Sequence, residues 1–134
     1  MKLDVMVEGI SETIGELNRY YGSVVDDVGN HIKSYTGKIQ KHAKANVSVR
    51  KGILKRSIAK SYNRAKLVGQ VYTRKAGWYA HMVEYGTKPH WMPKRQWMHP
   101  GAKPYPFMVP AWKAHKDGYI RGLRAILRRK RWLI

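Results

Sequence analysis

His81 and Glu84 stand three residues apart, and His90 and His99 follow in the loop beyond. A helix sets side chains at i and i+3 on one face, so these four groups contain the elements of a tetrahedral metal site. Their spacing matches neither HExxH nor a Cys/His cluster, and the chain has no cysteine. Histidines serving structure within an aromatic loop are therefore expected, with no metal and no cofactor. Nuclease chemistry would call for clustered carboxylates or a general acid–base pair, yet beyond Asp27 the only acids are Glu84 and Asp117. Six histidines among many Lys and Arg leave room for a metal-independent, toxin-like ribonuclease, but nothing in the sequence assembles its catalytic pair. Gly52 stands alone, so no phosphate-binding glycine loop is visible. The expectation is a protein that is not an enzyme.

Glu84 is a separate matter, because it is the sole acid between Asp27 and Asp117. A carboxylate in a low-dielectric site needs a partner, and stripping the partner costs about 3–5 kcal/mol. An ion pair within the subunit, or across a subunit boundary, is the expected solution.

The elements that must hold these residues begin with the stretch Trp78–Trp112. It contains all six prolines and four of the five tryptophans. Proline fixes φ and lacks a backbone donor, so Pro89 to Pro110 is neither an ordinary helix nor a central strand. A merely solvated loop would not carry Trp91, Met92, Trp97, Met98, Tyr105 and Phe107. Such an arm makes sense if it docks on its own core or on another subunit. Within it, His90-Trp91-Met92-Pro93 and Gln96-Trp97-Met98-His99 form a local echo.

The ends of the stretch carry a resemblance. Tyr79-Ala80-x-x-Val83-Glu84-x-Gly86-Thr87, followed by Pro106-Phe107-Met108-x-Pro110-Ala111, resembles the minor tail-component family of tailed bacteriophages, the HK-type tail-component group. Its members are also described as head–tail joining, neck or tail-completion proteins. A third, upstream element of that family is matched by Gly52, Leu54, Ser57 and Ile58, whereas its Pro, Asp and Thr are replaced here. The likeness runs over essentially the whole chain.

Charge divides the molecule. The net charge is +19, but residues 1–27 carry two cations and six acids, a net −4, while residues 28–134 carry 25 cations and two acids, a net +23. A basic field of that size attracts nucleic acid or an acidic protein surface and opposes self-association unless screened. The 134 residues suffice for one domain with a modest core. The start, MKLDVMVEG, lacks an apolar signal-peptide core, and no apolar run reaches membrane-spanning length. A soluble protein, without a membrane partner and not exported by a standard signal, is expected.

Periodicity supplies the remaining elements. Leu3, Val5 and Val7 alternate with polar residues as in a short strand. Ser11 is a candidate N-cap. Apolar steps of three and four from Ile10 to Ile39 then predict a long helix over about 11–45. Gly15, Gly22 and Gly29 recur every seven residues, suggesting either close approach of another backbone or chance glycines on an exposed face. Leu54–Arg64 and Leu67–Thr73 read as antiparallel strands, a sheet over about 54–73, with Ile58, Tyr62, Val68 and Tyr72 facing inward and a turn at Asn63–Lys66. Tyr79, Met82 and Val83 give a short helix ending at Gly86, or alternatively a third strand. The arm occupies about 87–106. A last helix over about 110–131 opens at Pro110, has Trp112, Tyr119, Leu123, Ile126 and Leu127 on its apolar face, and ends in a basic cluster that suits its negative pole.

The fold class is thus α+β: an N-terminal strand and long helix packed on a small antiparallel sheet, a short helix, a long Pro/Trp-rich loop and a C-terminal helix. The resemblance implies a structural subunit of the phage neck in the virion, assembled in the host cytoplasm. It would form a homo-oligomeric ring, most simply a hexamer, that completes the tail and joins it to the DNA-filled head. Its partners would be the head-side connector or stopper protein and the tail-tube or tail-terminator protein. Interface candidates are Trp91, Met92, Trp97, Met98, Tyr105, Phe107 and Glu84. Arg124, Arg128, Arg129, Lys130 and Arg131 would meet an acidic partner or, transiently and without sequence preference, genomic DNA. Tyr79, Val83, Gly86, Thr87, Pro106 and Pro110 would serve folding, and so would Phe107 where it is buried rather than exposed. The alternative is a small basic nucleic-acid-binding protein that uses Trp and Tyr as stacking platforms.

Overall fold

The computed structural model describes residues 4–8, 22–47, 50 and 52–131, with backbone alone at 4–8 and 130–131. The fold is α+β, as the sequence predicts. Strand β1 (Asp4–Glu8) precedes helix α1 (Gly22–Asn46), a short helix α2 (Ile53–Ser57) and the hairpin β2 (Ile58–Asn63) and β3 (Val68–Thr73). A 3-10 turn (Lys75–Gly77) leads to the short helix α3 (Ala80–Tyr85). The ribbon β4 (His90–Met92) and β5 (Trp97–His99) follows, and α4 (Met108–Arg131) closes the chain. The sheet is antiparallel, in the order β1-β3-β2.

The long helix α1 buries Val24, Val25, Val28, Ile32, Thr36, Ile39 and Ala43. That stripe of threes and fours packs against the sheet on one side and α4 on the other. From α4 the core takes Phe107 just before its start, then Met108, Ala111, Tyr119, Leu123 and Ile126. Of the predicted helix 11–45, residues 11–21 lie outside the described residues, as do the Ser11 cap and Gly15. Gly22 has open space about it. Gly29 is closely approached, but by the Tyr62 hydroxyl and the Leu67 side chain rather than by backbone; a Cβ there would collide with the phenol.

Two strand expectations are corrected. Residues 53–57 form a helical turn instead of the first part of a strand. Leu54 and Ser57 are both buried, one helical turn apart, and the Ser57 hydroxyl donates to the Leu54 carbonyl at 2.6 Å. The inward face of β3 is also the opposite one. Each β2–β3 pair joins an even-numbered to an odd-numbered residue: Ile58 to Thr73, Lys60 to Val71, Tyr62 to Gly69. Even positions of β2 therefore share a face with odd positions of β3. Ile58 and Tyr62 do pack on the core, but their neighbours there are Gly69, Val71 and Thr73, all buried, while Val68 and Tyr72 are only half-buried.

The helices α1 and α4 meet through polar rings as well as the core. Nε2–H of His31 donates to the Tyr119 carbonyl at 2.8 Å, its ring seated against Gly122 and stacked on Tyr119. Three turns on along α1, His42 Nδ1 and His115 Nε2 share a hydrogen bond of 3.2 Å. Burial lowers the His115 pKa below its ordinary value, and the nearby His42 and Lys38 lower it further. In the unfolded chain His115 protonates near its ordinary value of 6.5. Below that pH the unfolded state takes up the proton first, so stability that is full above it is lost as the pH falls. The melting temperature is expected to fall as the pH drops below about 6.5, with a shallower fall in His115→Gln.

Candidate interaction surface

The two sequence elements around the arm meet at the start of α4. Glu84, on α3, is buried, and its carboxylate accepts backbone N–H groups from Phe107 (2.8 Å), Met108 (2.9 Å) and Val109 (2.9 Å). A helix leaves its first four N–H groups without internal partners. Here three go to Glu84 and the fourth does not exist, because the next residue is Pro110. The positive pole of α4 faces the same carboxylate. The ion pair expected of Glu84 is thus corrected: among the described residues no cation pairs with it, and a helix end takes that place. Glu84 is accordingly a buried anchor within the subunit, not an exposed interface group. Phe107 is wholly buried in the core, which removes it from the interface candidates and leaves it with the residues expected to serve folding.

Around this anchor the base of the arm is fixed by backbone. Gly86, at φ 73°, ends α3, and a Cβ on it would lie 2.6 Å from the Ala102 carbonyl oxygen. Gly101, at φ 85°, would meet the Thr87 carbonyl at 2.5 Å. Only glycine combines that φ with such close approach. Thr87 and Ala102 exchange two N–H···O bonds of 3.0 Å, and Tyr105 N–H donates to the Val83 carbonyl at 2.8 Å. Tyr79 and Val83 pack half-buried against the core, while Pro106 is exposed and Pro110 half-buried.

Beyond the base the arm is a ribbon. His90 pairs with His99, Trp91 with Met98, and Met92 with Trp97. The echo in the sequence is HWM followed by WMH across a four-residue turn, and the antiparallel pairing sets histidine on histidine and each tryptophan on a methionine. That repeat was the available signal for a hairpin; the prolines masked it. Cross-strand neighbours share a face, so Trp91 and Met98 lie on one side, at 54% and 58% exposure. On the other side the rings of His90 and His99 stack 5.0 Å apart. Trp97 tilts against His99 at 5.5 Å and is 43% exposed; Met92 is half-buried. His99 Nδ1 accepts from Gly101 N–H at 2.9 Å, tying the ribbon to its base. Tyr105, 63% exposed, stands at the foot of the arm.

The four groups that suggested a metal site do not converge. Both Glu84 oxygens are engaged at α4, and His90 and His99 belong to the ribbon. Among the described residues no three of His, Asp or Glu gather as a metal set. Of the basic cluster, Arg124, Arg128 and Arg129 are exposed. With Lys113 and Arg121, Arg124 and Arg128 follow helical spacing along the side of α4 opposite its buried residues. Lys130 and Arg131 complete the last turn. Among the described residues no helix is long and apolar enough to cross a membrane.

A second apolar feature escaped the sequence reading. Arg50, Ile53, Leu54, Tyr79, Val83 and Tyr105 line an open groove of about 510 Å³. Near it in sequence, Trp78, Met82 and Tyr85 are exposed. Tyr79, Met82 and Val83 had marked the inward face of α3, but the residues it buries fully are Ala80 and Glu84. The partners of Glu84, three backbone N–H groups at the start of α4, could not be read from local spacing.

Compared with protein-family models, with curated proteins and with solved structures, the chain matches none.

Proposed function

We propose that this protein is a structural subunit of a phage neck, assembling as a ring that completes the tail and joins it to the filled head. The observation that carries the reading is the arm. Its base is locked by two positive-φ glycines, a backbone bridge and the Glu84 anchor, yet it holds Trp91 and Met98 out in solvent. Ordering such an element and leaving its apolar face bare is costly to a lone subunit, and useful when the face is completed by a partner. The function is then geometric: heterologous contacts close a ring around a channel, and the arm reaches the next component along the tail axis.

The cationic side of α4 supplies the electrostatic part. Facing an acidic connector or tube protein, it would speed and orient docking; facing DNA, it would bind phosphates without sequence preference and weaken with salt. The protein partner is the better fit, because tight phosphate binding in a conduit would retard the genome. Replacing Arg124, Arg128 and Arg129 together with glutamine is expected to yield filled heads and separate tails in complementation assays viewed by electron microscopy. Joined particles that fail only at DNA delivery would favour DNA as the target instead. The alternative of a small nucleic-acid-binding protein calls for aromatics interleaved with cations on one surface. Here Trp91 pairs with Met98 and Trp97 with Met92, the arm's Lys94 and Arg95 lie in the turn beyond those pairs, and the long cationic stripe runs along a different element.

A further inference from the structure

The groove between α2 and α3 has a definite chemistry. Its walls are Ile53, Leu54, Tyr79, Val83 and Tyr105, with Arg50 among its lining residues. Lys55 and Arg56 are exposed on α2, the Arg56 guanidinium close to Gly52. Among the described residues no carboxylate balances them. Glu84 is the only acid from residue 28 to 116, and it is turned inward with both oxygens occupied. An occupant of complementary character carries apolar side chains flanked by acids.

One segment of the chain has that composition. Residues 9–21, GISETIGELNRYY, carry Ile10, Ile14 and Leu17 at steps of four and three, with Glu12 and Glu16 between them. They lie outside the described residues, but both of their attachment points are known. Glu8 ends β1 opposite Val68, and Gly22 opens α1. Gly29 lies against Tyr62 and Leu67, whereas Gln40 donates to the Ile58 carbonyl. So α1 runs from the β2–β3 turn toward the start of β2, and both attachment points sit at the turn end. The groove sits at the other end, where Arg50 follows the last turn of α1. At 1.5 Å per residue, α1 spans about 35 Å. A 13-residue excursion that must return to its starting end reaches out at most about 22 Å, even fully extended. The subunit's own groove is out of range.

We propose that residues 9–21 of one subunit seat in the groove of a neighbouring subunit, Ile10, Ile14 and Leu17 against the apolar walls and Glu12 and Glu16 toward Arg50 and Arg56. The contact joins unlike patches at opposite ends of the molecule, the head-to-tail kind that closes into a ring. This rests on the ring reading above and names its contact. It also explains how a chain of net charge +19 could associate with itself: its one acidic stretch meets a basic end. The arm of a second copy is the competing occupant, but Lys88, Lys94, Arg95 and Lys103 would bring like charge to Arg50.

A labelled synthetic peptide of residues 9–21, titrated with the full-length protein below its assembly concentration and followed by fluorescence anisotropy, tests the contact. Saturable binding is expected. Reversing Glu12 and Glu16 to lysine in the peptide, or Arg50 and Arg56 to glutamate in the protein, should each weaken it at least about tenfold, and the two reversed partners together should recover it to within about threefold. Circular dichroism of the protein variant checks that it is folded. Absence of saturable binding, or binding indifferent to both reversals, overturns the proposal. So does loss of self-association in Trp91→Ala/Trp97→Ala while the peptide fails to bind, which would make the arm the occupant. Sedimentation of the wild type separates the two levels. Rings with no peptide binding would sink this contact and spare the ring; peptide binding with no ring under any condition would spare the contact and sink the ring.

Discussion

Replacing Glu84 with alanine is expected to destabilise the protein by about 3–5 kcal/mol, measured by urea or thermal unfolding. Three backbone donors, two of them buried, lose their only acceptor, and each unsatisfied buried group costs about 1–3 kcal/mol. Water entering at the less buried Val109 reduces the total. Since domains hold only about 5–15 kcal/mol in all, the variant should be barely folded at 37 °C. Glu84→Gln keeps one acceptor oxygen but loses the charge facing the helix pole, so roughly half the loss is expected. A melting curve equal to wild type in Glu84→Ala would mean that the start of α4 finds other acceptors, and that the arm's base is not held as described.

The second large effect is on assembly. Trp91→Ala together with Trp97→Ala should leave a subunit with nearly unchanged stability, because both rings are well exposed and surface changes usually stay within about 0.5 kcal/mol. Joining should fail all the same. Tryptophans at the centre of an interface typically contribute 2 kcal/mol or more each, so losing two weakens docking by about a thousandfold. Complementation with the double variant is expected to give filled heads and unattached tails. The geometry ranks the two: Trp91, bare beside Met98, should matter more than Trp97, which already leans on His99. Normal virions from the double variant would remove the arm from the interface.

How far the residues alone could take the reading varies along the chain. Helices α1 and α4 were legible because a sustained 3.6-residue period survives any choice of partner. Gly86 was legible too: a glycine closing a short amphipathic run is a helix stop. The helical turn at Ile53–Ser57 was not, because five residues hold too little periodicity to separate helix from strand. The β3 face was missed for a different reason. Val68 and Tyr72 look more apolar than Gly69 and Thr73, but pairing with β2 sets the parity, and the helix above needs small residues at Gly69. Within the candidate surface, Trp91, Met98 and Tyr105 stand out in solvent. Glu84 finds its partners at the start of α4, 23 residues away in sequence, a contact that no local pattern reveals.

The most direct test of the central proposal is the mass of the purified protein in solution, alone and after mixing with isolated tails. A closed ring, either free or formed only on the tail end and visible there by electron microscopy, is the expected result. A subunit that stays monomeric, ignores tails and instead binds duplex DNA tightly with a steep salt dependence would contradict the neck reading and leave a nucleic-acid-binding protein in its place.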